Sequence, residues 1–154
     1  PIVYAGNYSS GLTATPELCG AGAPGSNTSP WPPGTFSGEI VVCDRGSFGR
    51  VEKGINVLAA GAGGYVLANT AVDGESLVGD AHALPGIHIG MIYGDMVRTW
   101  LATGTGHMAT ISGATLSETP ANGDIMAGFS SRGPNVPAPS VIVPSIAAPG
   151  VDII

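Results

Sequence analysis

The sequence predicts an α/β domain that is rich in β-strands. Two unbroken apolar runs, at residues 40–43 and 65–68, have the character of strands buried on both faces. A helical pattern at residues 51–62 lies between them, and a strand, helix and strand of this length form a right-handed parallel crossover. Gly, Pro, Ser and Thr recur along the whole chain, which is typical of short strands joined by turns.

The helix of this crossover is defined by its apolar positions and by its end. After a polar turn at residues 44–47, the apolar side chains recur at Val51, Ile55, Leu58, Ala59 and Ala62. Ser47 is a candidate cap, but Arg50 stands three residues later, so no capping box supports that start. Glycines 61, 63 and 64 then end the helix, because glycine accepts the left-handed conformation.

The flanking segments predict shorter elements. Before the crossover, residues 2–4 form a short apolar run and residues 20–37 form a surface loop rich in Gly, Pro, Ser and Thr. After it, the pattern predicts a polar loop at 70–83, strands at 87–89 and 107–111, and between them a short helix. That helix is indicated by Met96, Val97, Trp100 and Leu101, with Gly104 stopping it, and the prolines of residues 134–149 exclude a helix there.

The charge and hydropathy of the chain exclude two classes of partner. The net charge is -6, and the five basic residues form no patch, which argues against nucleic-acid binding. There is no run of about 18 apolar residues, so no membrane span is expected. The chain starts at Pro1 with no basic, apolar leader, so we expect a mature or excised segment without a signal peptide.

An even number of cysteines, with few lysines and many Gly and Thr residues, suits an exported protein. Cys19 and Cys43 make an even count, and a bridge between them would add about 3–4 kcal/mol by loop closure, with two free buried cysteines as the alternative. Asn7-Tyr8-Ser9 and Asn27-Thr28-Ser29 match the N-glycosylation acceptor pattern, which matters only in a host that glycosylates.

The residues predict no cofactor and no metal. Residues 20–25 and 104–109 resemble dinucleotide-binding patterns, but neither links a buried strand to a following helix, so both are set aside. The histidines lack the spacing of a zinc site; they are His82, His88 and His107. The carboxylates of the 70–83 loop lack the order of a known calcium loop; they are Asp73, Glu75 and Asp80.

A serine nucleophile finds no support either. No Gly-x-Ser-x-Gly occurs. The nearest candidate turn is Ser130-Ser131-Arg132-Gly133, and prolines follow it where an oxyanion hole would need a helix N-terminus.

Residues 38–46, GEIVVCDRG, resemble the segment GKIVLCDRG of protease-associated domains inserted in subtilisin-like serine proteases. The similarity covers about residues 1–115 and continues at Lys53, Asn56, residues 60–64, Asn69, Asp80-Ala81-His82 and Leu84-Pro85. It implies a protease-associated-type fold, a small open barrel or sandwich of strands with two or three helices.

The tail resembles the point where such proteases re-enter their catalytic domain. The similar segments are residues 129–134 and 148–151, while Pro144-Ser145 departs from the usual Pro-Asp. The resemblance implies a domain at residues 1–120 and an incomplete catalytic segment at 121–154. The family's catalytic Asp and His precede the insertion and its catalytic Ser follows it, so we expect no enzyme activity. The apolar tail is expected to pack on a second copy or a strand edge, as a homodimer contact.

The resemblance implies a secreted, non-catalytic domain that mediates substrate access, binding of a polypeptide substrate or protein partner, or dimer contact. The parent catalytic domain is a further expected partner. Candidate substrate-binding residues are Arg45, Asn69 and His82, with loop hydrogen bonding as the alternative for each. Residual peptidase activity, a purely structural spacer, and a module from another host, such as a zinc aminopeptidase or a membrane receptor, stay open as alternatives.

Overall fold

A computed structural model gives the fold, and it describes residues 1–115, 119–122, 126, 130, 133–141, 146 and 148. The chain divides into two compact units, Pro1–Thr115 and Leu116–Ile154. In the second unit, a 3-10 turn forms at Pro120–Asn122. The assignment of residues 1–120 and 121–154 to two functional parts stays a prediction.

The first unit is built on one sheet of four parallel strands in sequential order. The strands are β1 Ile2–Tyr4, β2 Ile40–Asp44, β3 Gly64–Ala68 and β4 Gly86–Ile89. Helix α1, Arg50–Ala59, connects β2 to β3, and helix α2, Met91–Leu101, follows β4. The structure confirms the α/β class, and the sheet stays open rather than closing into a barrel.

Each face of the sheet carries its own core. Successive side chains of a strand point to opposite faces, so alternate residues of β2 and β3 enter different cores. One core holds Val41, Cys43, Tyr65 and Leu67 with Val57 and Ala60 from the α1 segment. The other holds Val42, Val66 and Ala68 with Leu101 from α2. The unbroken apolar runs are explained because β2 and β3 are covered on both sides.

Helix α1 confirms the predicted helix but turns an unexpected face towards the sheet. Val57 is buried together with the polar residues Lys53 and Asn56, whereas Ile55 and Leu58 are 36% and 43% exposed. Ile55, Leu58 and Ala59 of the sequence pattern are therefore not on the packing face, and Ala62, which is buried, lies beyond the end of the helix.

Hydrogen bonds to an earlier segment explain this face. Lys53 Nζ donates to the carbonyl of Leu18 at 2.5 Å, and Asn56 Nδ2 donates to the carbonyl of Cys19 at 3.0 Å. Burial lowers the pKa of Lys53 to about 8. The two side chains hold the 3-10 turn Pro16–Leu18 against α1. The predicted disulfide is confirmed, with the Cα atoms of Cys19 and Cys43 5.8 Å apart.

The predicted strand at residues 107–111 is wrong. The described structure has no strand there, and one backbone hydrogen bond, from Ile2 N to His107 O at 3.1 Å, ties the segment to β1. Gly104 and Gly106 both have a φ of +72°. The backbone therefore turns just before the apolar alternation and does not run along β1.

Helix α2 is confirmed but begins at Met91, five residues before the first position of the sequence pattern. The first turn could not be predicted from the sequence, because Gly90 and Gly94 stand at its start and glycine disfavours a helix. Glu75 supplies the capping group, since its Oε1 accepts from Ile92 N at 2.8 Å. Among the helices of the described residues, none is long and apolar enough to cross a membrane.

The tail lies mostly outside the described residues. Residues 142–145, 147 and 149–154 are among those not described, as are two members of the Ser130–Gly133 turn. Val141 and Ile146 are described and are 48% and 84% exposed. The homodimer contact through the tail stays a prediction.

Candidate functional site

The carboxyl edge of the sheet carries a group of buried and half-buried polar side chains. Arg45 follows β2 and Asn69 follows β3, so both stand at the ends of neighbouring parallel strands. Arg45 Nη1 lies 3.4 Å from Asn69 Oδ1, and Arg45 Nε lies 3.2 Å from Asp73 Oδ1. Ligands of open α/β sheets bind outside this edge. The structure thus brings two of the three predicted candidates together.

Asn69 is fully buried and uses both ends of its amide. Its Nδ2 donates to the carbonyls of Gly74 and Ser76 at 2.9 and 2.8 Å, and its Oδ1 accepts from two side chains. These contacts hold the 70–83 loop against the sheet. Asn69 therefore positions the loop from within, and its role in substrate binding stays a prediction.

His88 in β4 completes this group, and the sequence reasoning missed it. Its Nε2 lies 2.7 Å from Asn69 Oδ1, and its Nδ1 lies 3.2 Å from Val78 N. These partners fit a neutral ring with the proton on Nε2, donating to Asn69 and accepting from Val78. Burial lowers the pKa of His88, in line with that neutral form. A polar residue inside the short run Ile87-His88-Ile89 was the available signal.

A second polar group lies beside the first, at the ends of β1 and β2. Arg98 from α2 donates to Asp44 Oδ1 at 2.7 Å and to the carbonyl of Asn69 at 3.0 Å. Tyr4 donates its hydroxyl to Asp44 Oδ2 at 2.7 Å. Burial and this hydrogen bond to a carboxylate raise the pKa of Tyr4. The group locks α2 to the sheet edge.

The third candidate, His82, stands apart from Arg45 and Asn69. Its ring packs edge-on against Tyr65, with the ring centroids 5.1 Å apart. Its Nδ1 is buried and has no hydrogen-bond partner among the described residues. Nearby, Arg50 Nη2 donates to Asp80 Oδ1 at 3.0 Å and Arg50 Nε contacts the other oxygen, so this arginine tethers the loop to α1. Its hydrogen bond to Arg50 lowers the pKa of Asp80.

An open cleft of about 310 Å³ lies between the loop and β4. It is lined by Leu77, Val78, Gly79, Asp80, His82, Gly86, Ile87 and His88. Leu77 and Ile87 are 47% and 40% exposed. The cleft therefore offers apolar side chains beside the outer edge of a strand, and His82 is the predicted candidate that lines it.

The described cations are all engaged within the domain. Arg45, Arg50 and Arg98 form ion pairs with aspartates, and Lys53 is fully buried. Among the described residues, no group of three or more His, Cys, Asp or Glu side chains is placed to hold a metal ion. Within the described part of the chain no arginine or lysine is left over for an anion, so these residues favour an uncharged or basic ligand.

Comparison with known proteins assigns this fold to a family. The family model for the PA domain matches residues 1–96. The chain belongs to the PA domain family. The match spans the four strands, α1, the loop and the first half of α2, so the cleft lies within the PA domain proper.

The relatives of this PA domain are subtilisin-like proteases. It is 42% identical to subtilisin-like protease SBT1.7 and 40% identical to SBT1.6, both of Arabidopsis thaliana, over the whole chain and 19% of each relative. It is 44% identical to subtilisin-like protease SBT1.4 of the same plant, over 76% of the chain and 15% of the relative. The chain thus spans about a fifth of the length of these relatives.

Proposed function

We propose that this PA domain is the non-catalytic part of a secreted subtilisin-like serine endopeptidase and holds an extended polypeptide in the cleft beside β4. The bound polypeptide is the substrate of the parent enzyme or a protein partner, so the domain acts on substrate access or subunit contact. The observation that carries this proposal is the position of β4, which among the described strands pairs on one side only and borders a cleft with exposed apolar side chains.

The outer edge of β4 supplies backbone groups for pairing. β4 pairs with β3 on its inner side, where Tyr65 N donates to Pro85 O and Asn69 N donates to Ile89 O. Because the direction of backbone groups alternates along a strand, the groups of Gly86 and His88 face away from β3. An added strand would bond to these groups, which is a recurring mode of peptide recognition.

The chemistry of the cleft favours an uncharged, partly apolar segment. About 310 Å³ is at the lower end of the volume of ligand pockets, and Leu77 and Ile87 are the apolar contacts. The cations of the described residues are engaged in internal contacts, and Asp80 is held by Arg50. A strongly acidic peptide would therefore find no free cation among these residues, whereas pairing through the backbone accepts many sequences.

The absence of catalysis follows from the same proposal. In the resemblance described above, the catalytic residues lie before and after the inserted domain. Secretion is supported by the disulfide between Cys19 and Cys43, which forms and persists in oxidising compartments. Residual peptidase activity and a spacer that binds nothing are the competing functions, and one experiment separates the three.

That experiment is a titration of the isotope-labelled chain with extended neutral peptides, followed by amide shifts, with a cleavage assay on the same samples. We expect shifts at residues 77–88 without cleavage. Methylation of the backbone nitrogens at one set of alternate peptide residues should abolish binding, whereas methylation at the other set should not. Only alternate residues of the added strand direct their N–H groups towards β4. Cleavage would overturn the proposal, and the absence of shifts with all peptides would favour the spacer.

A matched pair of variants tests the cleft itself. Leu77→Ser removes an apolar contact within the cleft and should weaken binding about five-fold, from roughly 1 kcal/mol of lost burial. Val72→Ser makes a similar change in the same loop at a side chain that is 96% exposed and outside the cleft. Equal affinities of the two variants would contradict the assignment of the cleft.

We further infer a contact between the outer face of α2 and the catalytic domain of the parent. Four large side chains are exposed there: Ile92, Tyr93, Met96 and Trp100, which are 55%, 64%, 61% and 43% exposed. Residues three and four apart lie on one face of a helix, so these form one apolar stripe. The relatives are about five times as long as this chain, so most of their sequence lies outside it.

A reactivity measurement tests this docking. Met96→Cys in the isolated chain should react readily with a maleimide, and in the full-length protease it should be protected. Val72→Cys is the control, because its position is 96% exposed and lies on the loop rather than on α2. Equal reactivity of the Met96→Cys position in both proteins would exclude α2 as the contact.

A further inference from the structure

The fold brings two sequons that lie 20 residues apart in the sequence onto one part of the surface. Asn7-Tyr8-Ser9 begins at the last residue of the 3-10 turn Ala5–Asn7, which follows β1, and Asn27-Thr28-Ser29 stands in the 20–37 loop. Trp31 Nε1 donates to the carbonyl of Tyr8 at 3.3 Å, and Ser10 Oγ donates to the carbonyl of Pro30 at 2.7 Å. These bonds fix the two segments side by side.

Aromatic packing holds both segments on the α1 side of the sheet. The rings of Tyr8 and Trp31 each pack edge-on against Phe36, with centroid distances of 4.9 and 5.3 Å. Trp31 and Phe36 belong to the core that contains the α1 residues, and Tyr8 packs against that core. The two segments are therefore held by their aromatic side chains against the core, while their asparagines are exposed to solvent.

Both asparagine side chains are free to be modified. Asn7 and Asn27 are exposed, and neither amide makes a hydrogen bond with the described residues. Asn27 has a φ of +50°, and its backbone N–H donates to Glu52 Oε1 at 3.1 Å, so its backbone rather than its side chain is held. A sugar attached to either amide would meet no buried contact in the fold.

We propose that Asn7 and Asn27 are both N-glycosylated, which places two oligosaccharides on the α1 side of this PA domain. In the transfer, the amide nitrogen of Asn forms a bond to the anomeric carbon of a lipid-diphosphate-linked oligosaccharide. The bond between that carbon and the diphosphate oxygen breaks, the lipid diphosphate leaves, and the amide nitrogen loses one proton. The donor is a compound of the secretory pathway, where the disulfide Cys19–Cys43 would also form.

The position of the glycans has a consequence for the other surfaces. α2 packs on the opposite face of the sheet from the core that carries the two sequons. Its apolar stripe stays uncovered by sugar.

The test uses the chain secreted from eukaryotic cells behind a leader peptide, so that it reaches the transferase whatever the natural localisation of the parent. We expect the intact mass to fall by two glycans after treatment with a peptide N-glycosidase. Ser9→Ala and Ser29→Ala should each lose one glycan, while Ser9→Thr and Ser29→Thr keep it, because threonine preserves the acceptor pattern.

Asn27→Gly provides a second variant, since Ser29→Ala also removes the hydroxyl that accepts from Trp31 N at 3.2 Å. Glycine adopts a positive φ readily, so the loop should keep its conformation while it loses the acceptor. An enzyme treatment that leaves the mass of the secreted chain unchanged would overturn the proposal. A single glycan would overturn the assignment of the asparagine found empty.

Discussion

The carboxylate of Glu52 should be a main stabilising group of this PA domain, although the residue lies in the first turn of α1. Only 7% of it is exposed. Its two oxygens accept from Gly25 N at 2.9 Å, and further bonds come from Asn27 N and Gly49 N at 3.1 Å each. Glu52 thus joins the start of α1 to the 20–37 loop, whose backbone has no strand to pair with.

Glu52→Gln should lower the free energy of unfolding by about 2–4 kcal/mol. A glutamine oxygen can keep two of the three donors, but its amide group faces the third, and each bond to a charged acceptor is worth about 1.5–3 kcal/mol. The loss of negative charge at a helix N-terminus adds about 0.3–1 kcal/mol. For a chain of this size the melting temperature should fall by roughly 6–12 °C.

Urea unfolding and amide exchange of Gly25 and Asn27 would measure this effect. Glu75→Gln is the matched control, because Glu75 accepts one backbone hydrogen bond at the start of α2 and is exposed, so it should cost less than about 1 kcal/mol. If both variants unfold at the same urea concentration and the two amides stay protected, the reasoning is refuted.

The same group predicts a dependence on pH. Burial opposes the ionisation of Glu52, but the hydrogen bonds from the three backbone N–H groups outweigh it and hold its pKa below the ordinary 4.5. A carboxyl with a lowered folded-state pKa stabilises the fold fully above its unfolded pKa and loses this contribution as the pH falls through the folded value. We expect the free energy of unfolding of the wild type to decline below about pH 4.5, and that of Glu52→Gln to decline less over the same range.

Three further predictions concern other parts of the first unit. Gly61→Ala should lower the free energy of unfolding by about 3 kcal/mol or more, because at φ +103° the added Cβ would lie 2.2 Å from a backbone oxygen. The control Gly74→Ala has a φ of +62° and open space around the added Cβ, so it should lower that free energy by about 1 kcal/mol. Equal urea midpoints would contradict this. Replacing Cys19 and Cys43 together by Ala removes a disulfide with a sequence separation of 24 and should lower the free energy of unfolding by about 3.5 kcal/mol. An unchanged urea midpoint, measured without reductant, would refute this estimate. Burial lowers the pKa of Lys53 to about 8, so between about pH 8 and 10.5 the unfolded chain binds more protons than the folded one. The free energy of unfolding should therefore rise over this pH range, and Lys53→Met should remove the rise.

The central crossover could be predicted from sequence because its burial is decided locally. β2 and β3 are apolar at every position that the two cores need, so their type and order follow from the runs themselves. The face of α1 could not be predicted in this way. Lys53 and Asn56 are buried because their partners, the carbonyls of Leu18 and Cys19, lie more than 30 residues earlier in the chain.

The candidate site shows the same division. Arg45 and Asn69 follow neighbouring strands, so their approach at the carboxyl edge is a consequence of the predicted parallel order. His88 enters the group only through the path of the 70–83 loop, which brings Val78 to one ring nitrogen and Asn69 to the other. Loop paths have no periodic signal in the sequence, so this contact and the cleft appear only in the structure.

The distribution of exposed apolar residues predicts that the proposed peptide binding and the proposed docking to the parent use separate surfaces of the domain. Leu77 lines the cleft at the sheet edge, and Met96 lies on the outer face of α2. Two sites on different elements that share no contact should respond to mutation independently. Leu77→Ser should therefore reduce peptide shifts without changing the protection of the α2 face in the full-length protease. If a substitution at Met96 removed the peptide shifts as well, the cleft and the α2 stripe would have to be one continuous surface, and the parent catalytic domain would then compete with the peptide instead of receiving it.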